Sequence, residues 1–165
     1  MQRGGRMNFS MEFFPSIKAI SVTRRFVTDL AIECLHDADL AARVALVAHE
    51  LLENSLKYSV DGAASLTIDV SPADDTNMRS VSVGVWCRGQ ASHTDTLRRA
   101  LDEIAAAEDP SAYYLSAMRR SAKRASGSGL GLARIRAEGE MDLTGDFEGD
   151  GVCVRARATV SEVEP

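Results

Sequence analysis

No apolar run in this chain approaches the length of a membrane span, and its opening, MQRGGRMNF, lacks the apolar stretch of a secretion signal. Both absences point to a cytoplasmic address. Cysteine is scarce. Cys34, Cys87 and Cys153 are odd in number and widely scattered, which speaks against a disulfide framework or a zinc knuckle. Basic charge is short as well: 19 Lys and Arg stand against 24 Asp and Glu, and the net charge of −5 argues against general nucleic-acid binding. Several catalytic signatures are incomplete. His49-Glu50-Leu51-Leu52-Glu53 has glutamate where a zinc hydrolase needs its second histidine. A nucleophile elbow around Ser128 would need glycine at both Ser126 and Leu130. His36 and His93 are isolated and read as surface or capping residues.

A chain of 165 residues, 45% hydrophobic and 26% charged, has the composition of one globular domain with a single core. Residues 1–8 read as a disordered leader, 9–160 as the domain and 161–165 as a tail. Asn8 to Phe14 reads as a short strand ended by Pro15, and a helical pattern opens at Ser16 and continues to near Cys34. Asp37 or Asp39 is positioned to cap a second helix that stops near Tyr58. Strand patterns follow at Ala64 to Ser71 and at Ser80 to Cys87, with Trp86 expected in the core. Helices are predicted at Thr94 to Ala107, from Asp109-Pro110 to about Lys123, and at Leu130 to Glu138. Met141 to Glu148 and Val152 to Val160 close the chain as a hairpin. This order predicts an α+β fold: a mixed, largely antiparallel sheet with helices on one face, in two layers.

Two segments stand out. In HELLENSLKYS, Glu50, Asn54 and Lys57 fall on one helical stripe, while Val44, Val47, Ala48, Leu51, Leu52 and Leu56 take the opposite arc. A carboxylate, an amide and an ammonium in a row suit a magnesium-bound polyphosphate, although a solvated helix face can have the same composition. In SGSGLGLARIRAE, Gly127, Gly129 and Gly131 precede a helix-compatible run, where small residues and unpaired N–H groups let a phosphate come close. No Gly-Lys-Ser/Thr follows, so this is not a Walker loop, and the strand and distal acid of a dinucleotide fingerprint are missing. From Ala117 to Ala137 there are six cations and no acid, readable as a basic lid over a polyphosphate, as a solvated helix face or as a docking patch for an acidic protein.

Together these segments resemble the N box and second glycine box of the GHKL superfamily of ATP-binding domains. The resemblance implies a Bergerat-type two-layer sandwich. It also implies that Glu50 acts as general base or polarises a water, Asn54 ligates magnesium, Lys57 lies near the phosphates, and Gly127, Gly129, Leu130 and Gly131 close over them. The family's first glycine box, D-x-G-x-G, is degenerate here: Cys87 stands where the adenine-binding aspartate belongs, Gly89 matches the first glycine, and Ala91 replaces the second. Neither a histidine-kinase dimerisation helix pair upstream of residue 16 nor a transducer domain is expected from this sequence. It is therefore most similar to the small anti-sigma-factor serine/threonine kinases. That similarity implies Mg-ATP as cofactor and a protein partner, a sigma factor or an antagonist, that is sequestered or phosphorylated. Members of the family are often dimers, so a homodimer is among the implied assemblies. The alternative is an interaction module of the same shape that has lost ATP.

Overall fold

The computed structural model describes residues 6–72, 75–123 and 129–161. In chain order the elements are β1 (Met7–Phe13), α1 (Ile17–Leu35), α2 (Ala38–Tyr58), β2 (Ala64–Val70), β3 (Met78–Arg88), α3 (Ala91–Ala105), α4 (Pro110–Ala122), α5 (Leu130–Ala137), β4 (Asp142–Glu148) and β5 (Gly151–Ser161). The strands form one sheet in the order β1-β2-β3-β5-β4. Every neighbouring pair is antiparallel, so the expected two-layer α+β architecture holds, while its mixed component is replaced by a fully antiparallel sheet. Met7 and Asn8 already belong to β1, not to a leader, and Ser161 closes β5.

Strand alternation explains why helices cover only one face. Ala64, Leu66, Ile68 and Val70 of β2, Val81, Val83, Val85 and Cys87 of β3, and Val152, Val154 and Ala156 of β5 are buried beneath the helices. Residues of the other parity, such as Asp69, Asp142, Asp146 and Glu148, stay exposed. Trp86 is among them. It is 44% exposed because Val85 and Cys87 hold the covered positions on either side, which corrects its expected place in the core.

Local chemistry sets the helix ends. The Ser16 hydroxyl accepts from the Ala19 N–H at 3.2 Å and opens α1, and His36 ends it in the left-handed region at φ 54°. Asp37 accepts from the Leu40 N–H at 3.0 Å and starts α2 at once, so the two helices form a tight antiparallel hairpin. Asp109 caps α4 by accepting from the N–H groups of Ser111 and Ala112, with Pro110 in the first turn.

Helix α2 is the spine of the domain. Ala41, Val44, Val47, Ala48 and Leu52 are fully buried, at 0% exposed, against α1, the sheet and α5. Its C-terminus is fastened to the end of β3, where Ser59 bridges Gly89 and the Val60 N–H donates to the Arg88 carbonyl at 2.8 Å. Asp61 stabilises this corner by accepting from the Ala63 N–H and the Ser59 hydroxyl. These bonds, with Arg88 nearby, hold its carboxyl below the usual carboxylate range. Leu52→Ala is expected to cost about 2–5 kcal/mol of stability, read as a lowered midpoint in urea unfolding.

Candidate functional site

The tie between α2 and β3 opens a cleft bounded by α2, the end of β3, α3 and α5. One pocket of it is lined by Asn54 and Tyr58 of α2, Cys87 and Gly89 at the end of β3, and His93 and Leu97 of α3. A second pocket shares Asn54, Tyr58, His93 and Leu97 and adds Gly129 and Leu132 at the start of α5. The cleft therefore gathers Asn54, Cys87, Gly89 and Gly129, four of the residues singled out from the sequence.

Glu50 lies one turn before Asn54 and is 8% exposed. Arg134 of α5 donates to it through Nη1 at 3.0 Å, and the Arg134 Nε donates to Glu138 at 2.7 Å. The Glu138 carboxylate, with Glu50 behind it, holds the Arg134 guanidinium above its usual range. Gly131 explains how α5 comes so close: a Cβ at that position would fall 2.5 Å from Glu50 Oε2. Two distant stretches of sequence thus meet at a carboxylate, a guanidinium and a missing side chain.

Asn54 Nδ2 is buried and finds no hydrogen-bond partner among the described residues, and neither does His93 Nδ1. A buried polar group without a partner costs about 1–3 kcal/mol, so the cleft offers a ligand two orphaned groups. The His93 ring stands 5.3 Å from the Tyr58 ring at 54°, forming an aromatic corner. At the head of α5, Gly129 adopts φ 92°, and nothing lies within 4 Å of a Cβ placed there. The backbone conformation calls for glycine, and the space beside it is open. The first N–H groups of the helix have no intrahelical acceptor, which makes this end a natural acceptor-binding surface.

Cys87 faces the same cavity from below. Burial, reinforced by Asp61 and Cys153, pushes its thiol up to about 11, so it is neutral at ordinary pH and offers only a weak donor and acceptor. Gly89 serves packing: a Cβ there would lie 2.8 Å from Val152 Cγ2, and its N–H donates to the Asp150 carbonyl at 2.8 Å.

No family model matches this chain, and no curated protein matches it by sequence. Its fold is similar to that of a chain in the SiaB–SiaC complex from Pseudomonas aeruginosa. The TM-score is 0.61 at 17% identity, with 92% of this chain and 89% of that chain covered. At such low identity the likeness is one of fold.

Other expected members of the site lie apart from it. Lys57 is exposed and lines neither cavity, while Leu130 is half-buried in the first turn of α5. Gly127 lies outside the described residues, as does Arg124 of the basic segment. That segment is also less free than its composition implies, since Arg134 is engaged by Glu50 and Glu138 and Arg136 by Asp142 at 3.1 Å. Tyr58, Leu97 and Arg134 were not singled out as site residues from the sequence. His93 was read as isolated, but it is part of the cavity wall.

A magnesium ion would have to be held mainly by the Asn54 side-chain oxygen and by ligand oxygens, because no cluster of three or more His, Cys, Asp or Glu suited to a metal occurs among the described residues. The α5 end of the cleft fits a phosphate-bearing ligand. The Cys87 end supplies no carboxylate for an adenine amine.

Gly131→Ala is expected to force Glu50 off Arg134 and to cost about 1–3 kcal/mol, read by urea unfolding together with a crystal structure of the variant. A second expectation concerns pH. The folded state holds the Cys87 proton to about 11, against 9.0 for the free thiol, so the unfolded chain releases it first and stability falls as pH rises from 9 toward 11. Thermal melts across that range should show a shallower decline for Cys87→Ala.

Proposed function

We propose that this protein is a nucleotide-binding regulator of a protein partner, of the kind represented by the anti-sigma-factor serine/threonine kinases within the GHKL superfamily. The observation that carries this reading is the convergence of Asn54 and Gly129 on one cavity, with Glu50 and Gly131 in contact beside it. Their spacing in the sequence matched the N box and second glycine box, and their meeting in space is what that match requires. Support for a regulatory role through protein contact comes from the fold likeness to a chain of the SiaB–SiaC complex.

In this reading the residues divide the work by position. The Asn54 side-chain oxygen would hold magnesium, and the N–H groups at the head of α5 would receive phosphate oxygens beside Gly129. Tyr58, His93 and Leu97, which line the pocket, would pack against the base. Bound Mg-ATP supplies the transferable phosphoryl group and much of the neutralising charge. Glu50 orients or deprotonates the hydroxyl of a partner serine. To do so its carboxylate must be freed from Arg134, whose Nη1 donates to Glu50 Oε1 at 3.0 Å and so occupies that oxygen.

A second reading is favoured by Cys87. A neutral, buried thiol in the place of the adenine-binding carboxylate leaves an adenine amine without a strong acceptor, which fits an interaction module that no longer uses ATP. Thermal unfolding with magnesium and ATP separates the two. Saturation at about a hundredfold the dissociation constant should add roughly 2.7 kcal/mol, a rise of about 5–10 °C, and Asn54→Ala should abolish the magnesium-dependent part of it. The absence of any shift at millimolar nucleotide favours the interaction module. If the nucleotide is bound, Cys87→Asp is expected to tighten it about tenfold, measured by calorimetric titration with ATP.

A further inference from the structure

The β3 end of the cleft is built without a fixed charge. No Asp, Glu, Lys or Arg side chain lines the pocket there, and its floor is apolar: Leu51, Val85, Val152 and Val154 are each at most 7% exposed. Some of its polar groups have already spent their donors inside the protein. The Ser55 hydroxyl donates to the Leu52 carbonyl at 2.8 Å, the Thr94 hydroxyl to the Gln90 carbonyl at 3.1 Å, and the Gly89 N–H to the Asp150 carbonyl at 2.8 Å.

The groups left to meet the edge of a ligand ring are the Cys87 thiol, the Tyr58 phenol, the His93 imidazole and, at an exposed position, the Gln90 amide, whose side chain caps nothing. Every one of them works in both senses. A thiol and a phenol donate or accept, an uncharged imidazole has one donor and one acceptor nitrogen, and an amide has a donor end and an acceptor end. Burial keeps the thiol and the phenol protonated, pushing Cys87 up to about 11 and Tyr58 above its usual range. A ring edge that carries an amine and one that carries a carbonyl therefore find the same partners. The ring's flat face meets the corner formed by Tyr58 and His93, and stacking of that kind is open to any base because every base has a π-face.

We propose, resting on the nucleotide reading of the cleft, that it takes purine nucleoside triphosphates without distinguishing a ring amine from a ring carbonyl, so that adenine, hypoxanthine and guanine nucleotides are alternative ligands. Sharp discrimination needs a group that acts in one sense only. A site built around one such hydrogen bond rejects an analogue lacking it by about ten-thousandfold or more, whereas an apolar wall sorts ligands by size, by about 10–200-fold per methylene. Purines share one bicyclic frame and fill the same wall. Selection then falls to the polyphosphate and to the α5 end of the cleft.

Calorimetric titration of the full chain with ATP, ITP and inorganic tripolyphosphate, each with excess magnesium, tests the proposal. ATP and ITP, which exchange an amine for a carbonyl on the same ring, are expected to bind within about fivefold of each other. Tripolyphosphate, which has no ring to stack, should bind about tenfold or more weakly than either. Cys87→Asp places an acceptor-only group in the wall and should create a preference for ATP over ITP of about tenfold or more. Gln90→Ala, at an exposed position, should leave the two within about fivefold. A larger preference in the wild type overturns the proposal and leaves the nucleotide reading standing. A Cys87→Asp chain that is folded by circular dichroism and still binds ATP and ITP alike overturns the placement of the ring against Cys87, and the proposal with it. Failure of all three ligands to bind the wild type overturns the nucleotide reading as well.

Discussion

The contact on which the cleft depends is the buried carboxylate of Glu50 held between the Arg134 guanidinium and the bare backbone of Gly131. Helix α5 spans eight residues, Leu130–Ala137, too few to be stable as a helix in water, and it buries only Leu132, Ala133 and Ile135. Its place is fixed from outside. Gly139 just beyond its end packs so tightly that a Cβ would lie 2.5 Å from the Ile135 carbonyl and 2.9 Å from Val47, and Arg134 reaches back to α2. Taking a carboxylate out of water costs several kcal/mol unless a partner compensates, so the pairing of Glu50 with Arg134 is coupled to the docking of α5. Without that docking, Gly129 and Asn54 would not share a cavity.

This coupling gives the site an internal conflict. The guanidinium that stabilises Glu50 in the resting fold also occupies the lone pairs a general base would use. Glu138 offers Arg134 a second acceptor at 2.7 Å on its own helix, so the guanidinium can lose Glu50 and remain partnered. A displacement of α5 that separated Arg134 from Glu50 would free the carboxylate at little cost to the arginine. Under the kinase reading, closure of the glycine segment over a ligand and activation of Glu50 are then one motion.

Most of the architecture was legible in the sequence because it is written in short-range terms. The caps at Ser16, Asp37 and Asp109, the period of α2 and the alternation of β2 and β5 each involve residues within one or two turns or pleats. Trp86 was misplaced because its bulk outweighed its parity, although Val81, Val83, Val85 and Cys87 already fixed which positions face the helices. The stripe of Glu50, Asn54 and Lys57 was read correctly as a stripe, but which of its members are covered depends on elements far along the chain. Helix α5 covers Glu50, and Lys57 is left in solvent. The partner of Glu50 lies 84 residues away, and no local spacing rule connects them. The same holds for His93, whose burial against Tyr58 follows from where α3 crosses the cleft.

The two ends of the cleft make different demands on the resting protein. At the α5 end, Asn54 and the first N–H groups of a helix are donors, and Asn54 Nδ2 has no hydrogen-bond partner among the described residues. At the β3 end an aspartate in place of Cys87 would sit in a wall built with Leu51, Val85, Val152 and Val154, and it would carry a desolvation cost whenever no ligand amine was present to pair with it. A neutral thiol avoids that cost. Under the nucleotide-binding reading, Cys87 trades recognition of a base for stability of the fold, and a nucleotide would draw its affinity from the donor-rich end and from apolar packing on Tyr58 and Leu97 more than from a buried carboxylate.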